Sequence, residues 1–226
     1  MVNAQFQIDL KRYSLQKFKN SLQSRDMIPS RISLKDELDE RFRILETHNI
    51  RYLNELIDVL KTKQKIEHFS NQTGLSTQYL TLLNREAKSY LSKPIRLDKF
   101  PGVPQQLLDK LEVVGIRNTK QLFVETQDRG KREGLSKETG IPQEMLAELI
   151  GLSDLSRIYG VGPVFARMIY DVGIKSVKDF VKYSANDFIS IYEEQTQKKA
   201  DFGVGEIKFS LELAKELDIG FEEIED

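Results

Sequence analysis

A glycine landmark recurs along this chain of 226 residues, and it constrains the fold more than any other feature. Gly102 and Gly115 have the same spacing as Gly160 and Gly173, and the second glycine of each pair lies in a Val-Gly-Ile tripeptide. The matching place in an earlier segment reads His48-Asn49-Ile50. Asparagine is a sensible replacement, because it also tolerates the left-handed conformation that ends a helix. Such self-similarity indicates a repeat of about sixty residues.

The repeat divides the chain into five predicted parts. They are an N-terminal helical arm (1–32), a degenerate first repeat (33–95), a second repeat (96–151), a third repeat (152–218) and an acidic tail (219–226). A second landmark follows within each repeat, at Thr73-Gly74, Thr139-Gly140 and Phe202-Gly203. The last of these arrives late, which predicts a loop insertion near residues 195–199. Each repeat is therefore expected to contain two short helical hairpins.

The apolar spacing predicts helices and no strands. Leu53, Leu56, Ile57 and Leu60 follow the i, i+3, i+4, i+7 pattern of an amphipathic helix. Helix starts are predicted at the capping residues Asn118 and Ser176, and first-turn prolines are predicted at Pro142 and Pro163. Phe6, Leu10 and Tyr13 have helical spacing too, so the arm is predicted to be a long basic helix that packs across the repeats or binds a partner. The predicted fold class is all-α.

Composition excludes several classes of protein. The chain has no cysteine, so disulfides and thiolate metal sites are impossible. No apolar run approaches the roughly 20 residues of a membrane span, which favours a soluble, cytoplasmic protein without a membrane partner. The two histidines, His48 and His68, lack the spacing of a metal pair. No nucleophile-elbow or Walker signature is present, so we expect a non-enzymatic protein without a cofactor or metal.

The tripeptide Gly160-Val161-Gly162 carries the most specific functional signal. Two glycines between short helices can adopt positive φ, and the apolar residue between them can fill the junction of the helices. The backbone N–H groups of such a turn then point outward at the N-terminus of the next helix, where the helix dipole also favours an anion. A nucleic-acid backbone phosphate is a natural ligand for that arrangement.

Residues 155–174 resemble the helix-hairpin-helix motif shared by DNA repair, recombination and ligase proteins. Gly203-Val204-Gly205 is similar to the second hairpin of a paired motif, and the whole chain resembles a bacterial family catalogued only as a domain of unknown function. The resemblance implies tandem helix-hairpin-helix (SAM-like) repeats that bind nucleic acid without reading its sequence. The implied contacts are Gly160, Val161, Gly162, Gly203, Val204 and Gly205, and Arg167 and Lys175 either flank a phosphate or are ordinary solvated side chains. Arg157 and Lys178 share those two alternatives.

Other features of the sequence favour a different reading. The net charge is −1, and residues 152–226 carry nine Lys or Arg against fifteen Asp or Glu, whereas phosphate binding needs clustered cations. Pro104 replaces the second glycine of the hairpin in the second repeat and removes a donor. The alternative function is therefore a helical protein–protein interaction scaffold whose hairpins are structural only. An enzyme with a cleft between repeats is the third choice, and the oligomeric state is not predicted.

Overall fold

A computed structural model describes residues 4–218, and the regular secondary structure of this part of the chain is helical. The described residues contain no strand, and their only β-type pairings are isolated bridges that join Ser14 to Tyr52 and Arg96 to Asn118. The predicted all-α class is confirmed. None of the helices in residues 4–218 is long and apolar enough to cross a membrane.

The chain forms two compact units. One unit is residues 8–91, and the other combines residues 92–218 with the short N-terminal segment 4–7. Each unit has its own buried apolar core. The first unit contains helices α1 (Leu15–Ser24), α2 (Leu38–Thr47), α3 (Leu53–Val59), α4 (Lys63–Thr73) and α5 (Thr77–Ser89), with a 3₁₀ helix at Pro29–Lys35.

Helix α1 is shorter than the sequence predicted. It begins at Leu15, because the Ser14 hydroxyl caps it by accepting a hydrogen bond from the N–H of Lys17. Residues 10–13 use their backbone elsewhere, since the carbonyls of Leu10 and Tyr13 accept from Asn54 and Leu53. The apolar spacing of Phe6, Leu10 and Tyr13 therefore marks buried positions and not a helix.

A buried carboxylate holds the 3₁₀ segment in the first unit. Glu86 of α5 is fully buried and forms ion pairs with Arg25 and Arg31, which flank Pro29. Two partners satisfy both oxygens of the carboxylate, as a charge removed from water requires.

The second unit contains eight α-helices among its described residues. They are α6 (Gln105–Val113), α7 (Thr119–Glu125), α8 (Arg129–Thr139), α9 (Gln143–Leu155), α10 (Pro163–Asp171), α11 (Val177–Phe180), α12 (Ala185–Thr196) and α13 (Val204–Ala214), with a 3₁₀ helix at Leu97–Lys99. Asn118 and Ser176 accept N-terminal hydrogen bonds as predicted. Pro163 is a first-turn proline, whereas Pro142 is the N-cap of α9.

A side-chain cap recurs at the ends of α4, α8 and α12. Their last residues are Thr73, Thr139 and Thr196, and each hydroxyl donates to the carbonyl four residues earlier. Each hydroxyl oxygen also accepts from the N–H two residues later. The next residue is left-handed in every case, as Gly74, Gly140 or Gln197.

The cap corrects one sequence alignment. Gln197 occupies the place of Gly74 and Gly140, so aligning Gly203 with those two glycines is wrong. Gly203 is instead the N-cap of α13, which is the role that Ser76 has for α5 and Pro142 for α9. The insertion of the last segment accordingly lies in residues 198–202, after the cap of α12.

Candidate nucleic-acid interface

Only the first of the two glycines in the turn between α9 and α10 has a positive φ. Gly160 has a φ of +79°, which a side chain would strain, and Val161 is buried. The N–H of Val161 donates to the carbonyl of Ile158 over 3.1 Å. Val161 is therefore buried in the turn, and its N–H is bonded to Ile158 instead of pointing outward as predicted.

Gly162 is the N-cap of α10 and leaves its helix end open. Its φ of −83° is ordinary, and a Cβ added there would meet no atom within 4 Å. The next residue, Pro163, has no N–H, so the N–H groups of Gly162 and Val164 are the backbone donors at this helix end. The Val164 side chain is 58% exposed beside them.

Helix α13 supports the turn from behind. The Ser210 hydroxyl lies 2.9 Å from the carbonyl oxygen of Tyr159, and a Cβ on Gly160 would lie 3.8 Å from the same hydroxyl. The rings of Tyr159 and Phe209 pack edge to face with centroids 4.8 Å apart. The turn is therefore fixed by its contacts with α13, within residues 152–218.

The second predicted hairpin is arranged differently. Gly203 caps α13 with a φ of −96°, and its N–H donates to Oε2 of Glu206 over 2.9 Å. Val204 is the first residue of α13 and is partly exposed, and Gly205 lies inside the helix with no atom within 4 Å of an added Cβ. A carboxylate thus occupies a backbone donor that a phosphate would use.

The two predicted cations bond to protein groups. Arg167 donates through Nε to the carbonyl of Pro101 (2.9 Å) and through Nη2 to Glu148 (2.6 Å), and its Nη1 lies 3.4 Å from Asp171. Nζ of Lys175 donates to the carbonyl of Tyr170 (2.6 Å) and lies 3.7 Å from the centre of the Tyr170 ring. Both side chains therefore hold α10 in place, and Arg167 also covers the Gly102 turn.

Arg157 lies in the interior, so both alternatives predicted for it, a cation that flanks a phosphate and an ordinary solvated side chain, are wrong. Only 1% of the residue is exposed, and its guanidinium donates to Asp154 and to the carbonyls of Gln5, Phe6 and Asp218. The sequence feature that indicates burial is Asp154, which lies three residues earlier in an apolar helix. An ion pair at that spacing along a buried helix face is more typical of a core than of a binding surface.

Gly151 is a residue that sequence reasoning missed. A Cβ at this position in α9 would lie 2.6 Å from the carbonyl oxygen of Lys175 and 2.6 Å from Cε2 of Tyr170. Glycine is therefore required for the close approach of α9 to the end of α10. A glycine inside a helical pattern has a helix-propensity cost of about 1 kcal/mol. Its presence in α9 was therefore the sequence feature that could have indicated a close contact.

The described residues contain no cluster of the side chains that commonly bind metals. Within residues 4–218, no three His, Asp or Glu side chains are grouped as metal ligands. The helix end at Gly162 combines backbone N–H donors without a side-chain cap, free space around an added Cβ and a turn fixed by packing.

Comparison with known proteins gives one family. Residues 101–210 match the model of the family described as Domain of unknown function (DUF4332), and this range includes α6 to α12 and most of α13. No curated protein and no solved structure matches the chain. The match supports a domain-of-unknown-function family for this part of the chain and brings no activity with it.

Proposed function

We propose that this chain is a non-enzymatic, sequence-independent nucleic-acid-binding protein built from tandem helix-hairpin-helix repeats. The successive helix lengths support the repeat: 10, 7, 11 and 13 residues for α2 to α5, and 9, 7, 11 and 13 for α6 to α9. Helices α10 to α13 follow with 9, 4, 12 and 11. The recurring threonine cap supports the same division.

The observation that carries the binding proposal is the open helix end at Gly162. Gly160 is left-handed and Val161 is buried, and we infer that the N–H groups of Gly162 and Val164 then face outward at the positive end of α10. This end contacts one backbone phosphate and reads no base. The helix end at Gly203 is a second contact only when the phosphate displaces the Glu206 carboxylate.

The test is fluorescence anisotropy with short single- and double-stranded DNA and RNA at low and physiological salt. Binding through phosphates weakens steeply as salt rises, because each contact releases condensed counterions. Gly162→Glu is the informative variant, since its φ is ordinary, its Cβ has room and its carboxylate repels phosphate. Gly134→Glu in α8 is the matched control, because this glycine is exposed and, like Gly162, has free space for a Cβ.

The proposal predicts that Gly162→Glu abolishes binding while Gly134→Glu retains it. Equal affinity of the two folded variants would contradict it, as would the absence of binding by the wild type at low salt.

A protein-interaction scaffold is the second candidate, and specific contacts favour it. Arg167 and Lys175 bond to protein groups, Glu206 occupies the N–H of Gly203, and Val164 and Val204 are exposed beside the two helix ends. Apolar side chains at exposed helix ends suit a protein partner better than a phosphate backbone. Pull-down with the Val164→Asp variant as the negative control tests this candidate when nucleic acid does not bind.

A further inference from the structure

An open cavity lies in the unit of residues 8–91, which does not contain the helix end at Gly162. Its volume is about 600 Å³, within the range of small-molecule sites. The walls come from the 3₁₀ segment, the start of α2, the start of α4 and the first turns of α5. Ile66 and Leu82 contribute apolar surface to a lining that is otherwise rich in hydroxyl and charged groups.

The N-terminus of α5 opens into this cavity. The Ser76 hydroxyl accepts from the N–H of Tyr79, and the Ser76 carbonyl accepts from Leu80. The N–H groups of Thr77 and Gln78 are left without a helical acceptor, as at the start of any helix. The first turn of this 13-residue helix contains no acidic residue, so its positive dipole end is not neutralised from within.

Three cations and two carboxylates line the same cavity. The cations are Arg41, Lys63 and Arg85, and the carboxylates are Asp36 and Glu67. Glu67 lies 3.8 Å from Lys63, whereas Arg85 is exposed and has no ion pair within residues 4–218. The cations therefore outnumber the carboxylates at the positive end of a helix, which favours an anionic ligand.

Arg41 is positioned by its neighbours. Its guanidinium carbon lies 4.3 Å from the centre of the Tyr79 ring, and it donates to the carbonyl of Ser33 (3.3 Å) and to Glu37 (3.2 Å). A planar guanidinium that is stacked and hydrogen-bonded keeps its orientation, so it loses little freedom when it binds an oxyanion.

The hydroxyl of Tyr79 indicates a ligand independently of the helix end and the cations. The residue is 6% exposed and lines the cavity, yet its hydroxyl has no hydrogen-bond partner in the described part of the chain. Burial raises the pKa of this phenol, although Arg41 opposes the effect, so the hydroxyl keeps its proton at neutral pH. A buried donor without an acceptor is costly, and an acceptor atom of a ligand would satisfy it.

We propose that this cavity binds a small organic oxyanion, a phosphate monoester with a compact apolar body. The charged group lies between the first turn of α5 and Arg41, the apolar body rests against Ile66 and Leu82, and an oxygen of the ligand accepts from the Tyr79 hydroxyl. The site is independent of the nucleic-acid contact proposed for Gly162.

The experiment is calorimetric titration of the full chain with phenyl phosphate, with inorganic phosphate and phenol as separate arms. We expect phenyl phosphate to bind about tenfold more tightly than either half alone, because it uses the helix end and the apolar wall together. Tyr79→Phe removes only the unpartnered hydroxyl and should weaken binding about tenfold. Arg43→Gln on the same helix as Arg41 is the control, since Arg43 pairs with Glu40 at the surface, and it should leave the affinity unchanged.

Gln78→Glu gives a test that does not depend on a core substitution. It keeps the shape of the side chain and favours the start of α5, because a carboxylate suits the positive end of the dipole. We expect an unchanged or higher melting temperature and phenyl phosphate binding weakened more than about tenfold.

Three results would overturn the proposal. They are no binding of phenyl phosphate by the wild type at about 10 mM, the same affinity in Gln78→Glu and wild type, or displacement of phenyl phosphate by a short oligonucleotide. The last would assign the cavity to a nucleic-acid backbone. Loss of oligonucleotide binding in Gly162→Glu with phenyl phosphate binding retained would separate the two sites.

Discussion

Arg157 and Asp154 form a buried ion pair within the second unit, with Nη1 of the arginine 2.5 Å from Oδ1 of the aspartate. The other oxygen of Asp154 accepts from the N–H of Val177 over 2.7 Å. The remaining nitrogens of the guanidinium donate to carbonyls at both ends of the described chain, in Gln5, Phe6 and Asp218. The ring of Phe123 lies beneath it, 4.5 Å from the guanidinium carbon. One side chain thus connects four separate segments.

Replacing Arg157 with methionine should destabilise the protein strongly. Methionine keeps much of the volume but leaves Asp154 as a buried charge without its partner, which costs about 3–5 kcal/mol. Urea unfolding followed by circular dichroism measures the loss. Arg129→Met is the control, because Arg129 is exposed and pairs only with Glu133, and such surface pairs contribute about 0.2–1 kcal/mol. Similar losses for the two variants would show that burial does not set the strength of the Arg157 contacts.

The two glycines of the α9–α10 turn should respond differently to alanine. Gly160→Ala places a Cβ at a φ of +79° and should lower the free energy of unfolding by about 1–2 kcal/mol. Gly162→Ala has an ordinary φ and free space, so its effect should stay within about 0.5 kcal/mol. Thermal unfolding of the pair distinguishes them. Equal sensitivity would mean that Gly162, too, adopts a conformation that excludes side chains.

Asp179 should give the protein a stability component that disappears in acid. Burial acts to raise the pKa of its carboxyl, but hydrogen bonds from Lys182 and Ser176 outweigh it and lower the pKa below the ordinary value of 3.8. A carboxyl with a lowered folded-state pKa stabilises the protein above its unfolded-state pKa. That contribution is lost as the pH falls through the folded-state pKa.

The measurement is the difference in unfolding free energy between wild type and Asp179→Asn as a function of pH. The difference should be constant near neutral pH and should shrink below about pH 4. Asp58→Asn, which changes an exposed carboxylate, is the reference. A difference that persisted unchanged in acid would show that Asp179 acts through its shape and not its charge.

Gln197 occupies a position that glycine should fill better. Its φ of +53° follows the threonine cap of α12, where the two earlier segments have Gly74 and Gly140. Relief of left-handed strain exceeds the added freedom of glycine in the unfolded chain, so Gln197→Gly should stabilise by about 0.5 kcal/mol. Gln195→Gly, inside α12, should instead destabilise by about 1 kcal/mol. Chemical denaturation of both variants checks the opposite signs.

The sequence was most informative where a local rule decides the structure. Asn118 and Ser176 cap helices because their side chains accept from N–H groups three residues later, and Gly160 is left-handed because the turn requires it. The all-α class follows from the same local periodicity. These features depend on residues within a few positions of each other.

The wrong predictions depended on distant partners. No feature of the sequence near Arg157 indicates its contacts with Gln5 and Asp218, which are 152 and 61 positions away. The spacing at Phe6 suggested a helix. Phe6 instead lies in a segment without helix, and its ring packs edge to face on the ring of Phe123. Gly203 was aligned with Gly74 and Gly140, but the longer loop before it makes it the N-cap of α13. The unpartnered Tyr79 hydroxyl has no sequence signature.

The contacts of residues 4–7 limit when this segment can fold during synthesis. These residues precede the first unit in the chain, but the guanidinium that contacts them belongs to Arg157, which also donates to the carbonyl of Asp218. Residues 8–91 form a compact unit whose contacts are all available while the rest of the chain is still being translated. Residues 4–7 therefore cannot make these contacts until residue 157 has been synthesised. Because such long-range closure is slow, docking of residues 4–7 is a step at which we expect a chaperone or a protease to act on this protein.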